Sequence, residues 1–447
     1  MWKPIFDHPF QTRAFAAIDA VATALLAETE ARPGRGEARA PAAKALLAER
    51  PDPSLAEGTA GISILYAYLS RAQIGSHYNE VALRFLNQAA DSVRAVPMNR
   101  SLLGGFTGVA WSIAHLRTWL LHPSDDSTEP IDKTLEKHLR VRLWRGPYDL
   151  VSGLVGLGVY ALEQLPRPLA MECLRQVIDH LDQIAERGPE GITWFTSPEM
   201  LAQARREMHP NGHYDLGLAH GVPGVIAFLG RVCSLNVGGA AMLTKAQAKA
   251  QSLLDGAVPW LLAQKRTARK SSVFPHFTGS DIRPTSSRVA WCYGDLGIAA
   301  ALLAAARGRN NTKWREEALR LARNAARRTA SKSGVKDCGL CHGAAGVGHL
   351  FNRLFQGTGD LLFKEAALSW FHRTLRMRRA SGGIAGFFAL ELGSSGRLRS
   401  TAKIGLLAGA TGVALALLAA ATNVEPSWDR MMGLWIPTKR VGPSQPC

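Results

Sequence analysis

Cysteine, aromatic residues and strand-like alternation are all scarce in this sequence, and their scarcity excludes several classes of protein. Six cysteines among 447 residues are too few for a disulfide-rich scaffold, so the thiols are candidate metal ligands, nucleophiles or core residues. The sequence contains no sustained alternation of Val, Ile and Thr that would predict a sheet. The composition, 47% hydrophobic, 20% charged and 7% aromatic, is that of a globular chain. It excludes disorder, collagen-like repeats and a protein with many membrane spans.

Acidic residues are also under-represented. The chain has 36 Asp and Glu against 53 Lys and Arg, a formal net charge of +17. Such a charge favours acidic partners, for example nucleic acid, anionic lipid or an acidic peptide. The segment from Met1 to His8 lacks the charged and then apolar pattern of a secretory signal. We therefore expect a cytoplasmic protein.

One charge-free stretch, 404–424, is long enough to span a bilayer. It is rich in Ala and Gly rather than Leu and Phe, and it contains a Gly-Ala-Thr-Gly tetrapeptide whose pattern recurs elsewhere in the chain. A fully buried helix of a large soluble fold has the same composition. We expect 404–424 to contain such a helix, and we expect no transmembrane segment.

The sequence is rich in one repeat. A Gly-x-x-Gly tetrapeptide followed by an apolar run occurs seven times, at steps of 47, 48, 68, 73, 49 and 66 residues. Each apolar run is apolar on most of its faces, which predicts a buried helix. The first glycines of the seven tetrapeptides are Gly58, Gly105, Gly153, Gly221, Gly294, Gly343 and Gly409.

A more amphipathic helical pattern lies upstream of each glycine pair, so the repeating unit is an outer helix, a loop, a glycine pair and an inner helix. Periods of this length are typical of helical arrays, which are either open solenoids or closed rings. An open array needs polar terminal repeats, yet the last inner helix is the most apolar. The pattern therefore predicts an all-α protein, an α/α toroid in which seven inner and seven outer helices form a double ring. We expect a single domain over residues 1–447.

Three of the loops before the glycine pairs contain Cys or His. Cys292 and Cys341 each lie two residues before the first glycine of their repeat, and His220 and His342 each lie one residue before theirs. Equivalent positions on neighbouring units come together when a ring closes, so we expect the two thiols and the imidazole of His342 to meet. Two thiolates and one imidazole suit Zn²⁺ and leave a fourth position open, as in catalytic zinc sites. We expect one zinc per chain.

Other interpretations of these cysteines stay open. Cys338 could complete a closed structural zinc site as a fourth ligand, although it lies outside the repeat register. The spacing of Cys338, Cys341 and His342 is also that of a c-type haem attachment, which requires export. Buried free cysteines are a third interpretation, and it is the one that we expect for Cys173 and Cys233.

At these motifs the chain resembles the lanthionine synthetase C-like family, whose cyclases close thioether rings in lantibiotics. The resemblance covers nearly the whole chain: the glycine pairs, the Trp-Cys-Tyr-Gly, Cys-His-Gly and Gly-x-Ala-His-Gly loops, and the C-terminal Trp428-Asp-Arg. It implies an α/α toroid and a zinc ion held by residues that match Cys292, Cys341 and His342. The family's active-site positions correspond here to four residues, Asp149, His220, Arg288 and Tyr293.

The resemblance implies a zinc-dependent lanthipeptide cyclase. In that reaction a peptide cysteine adds as a thiolate to dehydroalanine or dehydrobutyrine, and the resulting enolate must be stabilised and protonated. His220 suits the acid and Arg288 suits the charge partner of the enolate, while Asp149 could orient His220 or raise its pKa. A capping or core histidine is the alternative for His220.

The resemblance also implies partners. We expect a dehydrated precursor peptide with leader and core as the substrate, a dehydratase and exporter complex, no nucleic acid, and a monomer. These partners could hold the cytoplasmic enzyme at the inner face of the membrane. Two other functions stay open: an enzyme that adds glutathione or another thiol to dehydroamino acids, and a non-catalytic helical-repeat binding module with a structural zinc.

Positive charge is dense over 307–332, where nine Lys and Arg accompany two Glu. A solvated helix face is one interpretation of this run. The other is a docking surface for an acidic leader peptide or a dehydratase, formed by Arg320, Arg323 and Arg327.

Overall fold

The computed structural model describes residues 1–30, 52–95, 97–122, 126–236, 241–266, 271–393 and 397–439. Fifteen α-helices lie in this part of the chain. In chain order they are α1 (His8–Glu30), α2 (Thr59–Arg71), α3 (Tyr78–Ala95), α4 (Phe106–Arg117), α5 (Glu129–Leu139), α6 (Leu154–Glu163), α7 (Pro168–Gln183), α8 (Gln203–Met208), α9 (Val222–Cys233), α10 (Ala241–Ala263), α11 (Asp295–Arg309), α12 (Thr312–Ala326), α13 (Ala344–Thr358), α14 (Leu361–Met377) and α15 (Ala410–Ala421).

Seven of these helices form the inner ring, and each begins one residue after the first glycine of a pair. They are α2, α4, α6, α9, α11, α13 and α15. All residues of α15 are buried, so the charge-free stretch 404–424 contains an inner helix, as predicted. Seven others form the outer layer, which are α1, α3, α5, α7, α10, α12 and α14. The predicted all-α double ring is therefore confirmed.

The outer helices are amphipathic because only one face meets the inner ring. In α3 the buried residues recur at helical spacing and include Ala82, Phe85, Leu86 and Ala89. Each inner helix from α2 to α13 packs on the outer helix that follows it in the sequence. The first outer helix, α1, consequently packs on the last inner helix, α15.

The second glycine of several pairs lies where a side chain would collide with its own loop or with the neighbouring one. A Cβ atom on Gly346 would lie 1.8 Å from the carbonyl oxygen of Leu340 in its own loop. A Cβ atom on Gly412 would lie 2.9 Å from the Cβ of Leu340, which belongs to the preceding repeat, and one on Gly61 would lie 3.1 Å from the Cβ of Leu406. That last contact joins the seventh repeat to the first, so the ring is closed.

The C-terminal segment lies inside the ring. A 3₁₀ helix, Ser427–Met432, is mostly buried, and the indole of Trp291 donates a hydrogen bond of 2.8 Å to the Met432 carbonyl. The Asp429 carboxylate, with no solvent exposure, accepts hydrogen bonds from His349 at 2.8 Å and from Arg353 at 2.6 and 2.9 Å. This buried ionic network fixes the C-terminal segment to α13.

Three small antiparallel sheets occur among the residues that the structure describes, although sequence patterning predicted almost no strands. Their pairs are β1 (Glu186–Gly188) with β2 (Gly191–Thr193), β3 (Tyr214–Asp215) with β4 (Phe277–Thr278), and β5 (Ala389–Leu392) with β6 (Leu398–Thr401). They lie within the three longest steps between glycine pairs, where additional residues separate the outer helix from the next inner helix. Strands of two to four residues are too short to show a period-two pattern, which explains why they were missed.

One described helix, over His8–Ala27, is long and apolar enough to cross a membrane by length and composition, and 39% of that window is buried. Its fully buried residues, which include Ala14, Ile18, Val21 and Leu25, form a stripe at helical spacing. That stripe packs on α15, and this contact accounts for the apolar composition of the helix. One hydrophobic cluster contains buried residues from Ile5 to Ile436, which is compatible with the single domain over 1–447, although the domain limits stay a prediction.

Candidate active site

A series of backbone hydrogen bonds around the ring joins residues that lie two positions before the first glycine of neighbouring repeats. The Cys292 amide donates to the Cys341 carbonyl at 3.4 Å, and the Ala219 amide donates to the Cys292 carbonyl at 3.3 Å. The Cys341 amide donates in turn to Leu407 at 2.8 Å, and the Leu407 amide donates to Ala56 at 3.0 Å. Equivalent positions of neighbouring repeats are therefore adjacent in space, as the register predicted.

Cys292, Cys341 and His342 meet at this ring. One ligand atom from each residue lies within 4.8 Å of the others, and this is the one cluster of its kind in the described part of the chain. In a tetrahedral zinc site with Zn–S distances of about 2.3 Å, two sulfurs are roughly 3.8 Å apart. The donor set and its spacing therefore fit a zinc ion held by three protein ligands.

Two residues of the same loop differ in their relation to this cluster: Asp337 contacts it and Cys338 does not. The Nε2 of His342 lies 3.6 Å from the buried carboxylate of Asp337, and a carboxylate beside a metal-binding histidine helps to orient its ring. Cys338 instead donates its thiol to the Phe388 carbonyl at 3.3 Å, and burial raises the pKa of this thiol to about 11. Cys338 is not part of the cluster, which speaks against a fourth cysteine ligand and against a haem attachment through Cys338 and Cys341.

The electrostatics of the cluster favour a thiolate at Cys292. A hydrogen bond from Cys341 lowers the pKa of the Cys292 thiol well below its usual value, and His342 and the guanidinium of Arg288 lower it further, against the effect of burial. The Cys292 sulfur in turn raises the pKa of His342. Negative charge is therefore already favoured at this position, and a divalent cation would stabilise it.

His220 lies in the loop next to Cys292. Its Nδ1 is 2.9 Å from the Asp149 carboxylate, and its side chain is 30% exposed. Burial lowers the pKa of His220, but the hydrogen bond and the charge of Asp149 outweigh burial and raise the pKa overall. Asp149 is itself held by the Ser152 amide at 2.6 Å. This pairing leaves Nε2 of His220 as the nitrogen that can exchange a proton with a bound molecule.

Tyr293 is fixed by a residue that sequence reasoning did not single out. Its hydroxyl donates a hydrogen bond of 2.7 Å to Asp215, a residue only 2% exposed. Burial and the Asp215 charge raise the pKa of Tyr293 well above its usual value. A Cβ atom on Gly217 would lie 2.6 Å from both the Cys292 carbonyl oxygen and the Tyr293 ring. Only glycine at this position lets the fourth loop pack against the fifth.

Arg288 opens the fifth loop, which differs from the other six. Its first repeat glycine, Gly294, has a φ of 112°, whereas the corresponding glycines of the other loops are extended. A Cβ atom on Gly294 would lie 1.9 Å from the Arg288 carbonyl oxygen. Both the conformation and the contact require glycine, and the resulting turn brings the Arg288 guanidinium close enough to lower the pKa of Cys292.

A second register marks Asp and Asn side chains that were missed. Six residues before the first glycine, four loops have Asp or Asn, and each of these side chains accepts a hydrogen bond from the amide two residues further on, at 2.7 to 3.3 Å. The four are Asp52, Asn99, Asp215 and Asp337. The fifth loop has Arg288 at this position, so its side chain does not close the turn of its own loop. His276 was also missed, and its ring lies 5.4 Å from that of Tyr293.

A cavity of about 330 Å³ lies beside His220. Its wall contains Asp149, Asp215 and His220, the apolar side chains of Tyr148 and Leu201, and further residues from the chain just before and within α8. Cys292, Cys341 and His342 are not in its wall, whereas His220 and Asp149 are. A peptide residue in the cavity would therefore be adjacent to the proposed acid.

Comparisons with known proteins agree with this geometry. Residues 50–432 match the family described as "Lanthionine synthetase C-like protein". The chain belongs to the lanthionine synthetase C-like family. A curated relative, "Nisin biosynthesis protein NisC" of Lactococcus lactis subsp. lactis, is 25% identical over 333 residues, which cover 67% of this chain and 74% of the relative. The solved structure of nisin cyclase is similar with a TM-score of 0.71 at 20% identity, covering 88% of this chain and 94% of that chain.

In this lanthionine synthetase C-like chain, the matched segment contains all seven glycine pairs and all seven predicted site residues. The structure brings these residues together in two groups: Cys292, Cys341 and His342 form one, and His220 with Asp149 forms the other. Tyr293 and Arg288 lie on the loop that joins the two groups. The likeness to nisin cyclase supports the helical toroid fold of the family member described here.

Proposed function

We propose that this protein is a zinc-dependent lanthipeptide cyclase, which forms lanthionine or methyllanthionine rings within a peptide. The observation that carries the proposal is the position of the His220–Asp149 pair one loop away from the Cys292, Cys341 and His342 cluster. A purely structural metal site would not need an ionisable pair beside it. Membership in the lanthionine synthetase C-like family and the printed name of the curated relative, a nisin biosynthesis protein, support the same conclusion.

Cys292, Cys341 and His342 would hold one zinc per chain. When bound, the zinc would lower the pKa of a peptide cysteine thiol and keep it as a nucleophilic thiolate. Three protein ligands suit that chemistry because they leave one position open. The carboxylate of Asp337 keeps the His342 ring in place through the contact at 3.6 Å.

His220 would act as the acid. Addition of the peptide sulfur to the β-carbon forms one S–C bond and moves the double-bond electrons onto the neighbouring carbonyl, as an enolate. A proton must then reach the α-carbon, and Nε2 of His220 can deliver it because Nδ1 is engaged with Asp149 at 2.9 Å. The raised pKa of His220 extends its protonated, proton-donating form to higher pH than in an ordinary histidine, which suits an acid.

Arg288 and Tyr293 would stabilise and position the reacting peptide. The Arg288 guanidinium brings a permanent positive charge to the same loop, which suits a developing enolate oxygen. The Tyr293 hydroxyl proton is committed to Asp215 at 2.7 Å, so its oxygen can only accept a further hydrogen bond. A peptide N–H is a donor of the right kind for it.

The substrate would be a dehydrated precursor peptide with leader and core segments. Dehydroalanine and dehydrobutyrine arise from Ser and Thr, so a dehydratase must act before this enzyme. We further propose that the protein works as a cytoplasmic monomer, in contact with the dehydratase and an exporter, at the inner face of the membrane. The alternative, addition of a free thiol such as glutathione, uses the same groups and differs only in the thiol donor.

The direct test uses a dehydrated peptide that contains one cysteine. Ring formation does not change the peptide mass, but it removes the free thiol, so alkylation with iodoacetamide followed by mass spectrometry measures the reaction. We expect loss of the alkylatable thiol with the zinc-loaded protein, and no loss after Cys341→Ala. A mass increase equal to one glutathione, when glutathione is supplied, would instead establish the alternative. A zinc-loaded protein that does neither would contradict an enzymatic function.

A further inference from the structure

A cluster of arginines lies at the end of the toroid opposite the candidate active site. Arg231 is in the last turn of α9, and Arg307 is in the last turn of α11. Arg430 comes from the C-terminal 3₁₀ helix, and the three side chains line a cavity of about 240 Å³. The cysteine cluster is at the other end of the same helices, about 20 Å away for a helix of 15 residues at 1.5 Å per residue.

The carboxylates near this cavity are already engaged. Glu163 accepts a hydrogen bond from His115 at 2.8 Å and lies 3.4 Å from Arg430. Glu425, which also lines the cavity, pairs with Arg353 at 3.0 Å. Within the described part of the chain, neither Arg231 nor Arg307 has a carboxylate within ion-pair distance or a side-chain hydrogen bond.

The positive charge of this cavity is therefore not neutralised. Burial lowers the pKa of Arg231, and Arg307 and Arg430 lower it further, while Glu163 opposes them only in part. A cation at a helix C-terminus is favourable by itself. This explains why α9 and α11 each have an arginine in their last turn. It does not explain why three of them converge on one cavity, since like charges repel.

A second cavity adjoins the arginine cluster. It has a volume of about 300 Å³ and shares Arg307, Ile436 and Pro437 with the first cavity. Its wall is mainly apolar surface, to which Leu303 and Ala306 contribute, and it also includes Arg315 and the polar residues 310–312. The two cavities form one groove, in which the arginine cluster lies at one end and the apolar surface at the other. A small inorganic anion would use only the charged end.

We propose that this groove is a docking site for an extended peptide segment in which acidic side chains neighbour an apolar one. The acidic side chains would pair with Arg231 and Arg307, and the apolar one would enter the adjoining cavity. Arginine forms bidentate pairs with carboxylates, and a segment of this kind complements both ends of the groove. The C-terminal segment lies inside the ring between the groove and the active site, so that the two sites can be occupied independently. The inference goes beyond the proposed cyclase activity and does not depend on it.

The structure also supplies a matched control. Arg320, which one interpretation of the sequence assigns to a basic docking surface, is exposed but already forms a bidentate pair with Glu317 at 2.9 and 2.6 Å. Arg323 pairs with Asp360 at 2.9 Å. Replacement of Arg320 changes the net charge as much as replacement of Arg307 does, but lies outside the groove.

The test measures the affinity of the full-length protein for a fluorescein-labelled hexapeptide, Leu-Glu-Asp-Leu-Glu-Asp, by fluorescence anisotropy at fixed ionic strength. We expect Arg307→Glu and Arg231→Met to weaken binding at least tenfold, and Arg320→Glu to leave it within twofold. The peptides Leu-Gln-Asn-Leu-Gln-Asn and Gly-Glu-Asp-Gly-Glu-Asp should each bind at least tenfold more weakly than the parent. Thermal melting of each variant shows that it is folded.

Each contrary result overturns the proposal. Equal losses in Arg307→Glu and Arg320→Glu would mean non-specific attraction to a basic protein. Undiminished binding of the glycine-containing peptide, together with full competition by inorganic phosphate, would mean a small-anion site rather than a peptide groove. If the parent peptide does not bind measurably, the arginines serve only to stabilise the C-termini of their helices, and the groove is not a docking site.

Discussion

The hydroxyl of Tyr293 donates a hydrogen bond of 2.7 Å to the carboxylate of Asp215, and this pair joins the fourth and fifth loops beside the cysteine cluster. Asp215 also accepts a hydrogen bond of 2.7 Å from the Gly217 amide. The carboxylate is thereby satisfied although it is buried. The same contact commits the phenol proton, so Tyr293 cannot be the acid of the reaction.

Loss of that contact should reduce stability. We expect Tyr293→Phe to lower the free energy of unfolding by about 1.5–3 kcal/mol, because it leaves a buried carboxylate short of one partner. Urea unfolding monitored by circular dichroism measures the change. The double variant Tyr293→Phe/Asp215→Asn should be less destabilised than the sum of the single variants, and strict additivity would show that the two groups do not interact.

Zinc content should separate ligands from neighbours. We expect Cys292→Ala, Cys341→Ala and His342→Ala each to lose the single zinc, and Cys338→Ala to keep it, since Cys338 bonds to Phe388 at 3.3 Å rather than to the cluster. Metal analysis of the purified variants measures this. Stoichiometric zinc in Cys292→Ala would refute the ligand assignment.

Acid catalysis should depend on His220 alone. His220→Asn should keep zinc and slow cyclisation by about 10²–10⁴-fold, the usual contribution of a positioned acid. Arg288→Met should also keep the metal, but lose stabilisation of the enolate. Exchange of the α-proton of a finished ring in deuterated solvent should slow in His220→Asn, because reversal removes that proton. If His220→Asn loses zinc as completely as His342→Ala, then His220 is a ligand and the acid assignment is wrong.

The pH dependence should change when Asp149 is replaced. The folded protein holds the pKa of His220 above its usual value through Asp149, so the protonated, donating form persists to higher pH. In Asp149→Asn burial and the charge of Arg205 lower that pKa and only the charge of Asp215 opposes them, so the alkaline limb of the rate profile should move to lower pH. Cyclisation rates from pH 5 to 9 measure the shift. An unchanged alkaline limb would mean that another group limits the reaction.

The buried network at the C-terminus should contribute strongly to stability. Asp429→Asn removes the fully buried charged partner of the Arg353 guanidinium, which is 4% exposed, and leaves it with the partly exposed Glu425 at 3.0 Å. We expect a loss of about 3–5 kcal/mol in the free energy of unfolding. Asp255→Asn is the matched control, since the Asp255–Arg309 pair is partly exposed and should contribute about 1 kcal/mol or less. Similar losses in the two variants would contradict the importance of burial.

The inner ring could be predicted from the sequence because one glycine fixes each helix start. Gly343 precedes α13 and Gly409 precedes α15 by one residue, so counting along the chain located the helices. The cluster of Cys292, Cys341 and His342 followed from the same counting. Residues at equivalent repeat positions become neighbours in a closed ring. The backbone hydrogen bond from Cys292 to Cys341 is an example of such a contact.

Contacts outside the register could not be predicted. The apolar stripe of α1 indicates that one face is buried, but not that α15 covers it. Asp215 occupies a repeat position, yet its bond to Tyr293 spans 78 residues and depends on how two loops of different length pack. The sequence shows the basic run over 307–332, but it does not show that Arg320 is paired with Glu317.

The contact between α1 and α15, which joins the two ends of the chain, has a consequence for the synthesis of the protein. The Trp2 indole bonds to the Ala419 carbonyl at 2.7 Å, across 417 residues, and the Ile5 amide bonds to Ala420 at 2.9 Å. The ribosome adds roughly 5–20 residues per second. It therefore completes α1 tens of seconds before it has synthesised α15, the helix on which α1 packs. During that time the stripe of Ala14, Ile18, Val21 and Leu25 is exposed on the nascent chain. We expect chaperones to bind this first helix during translation, and chains that terminate before α15 to aggregate.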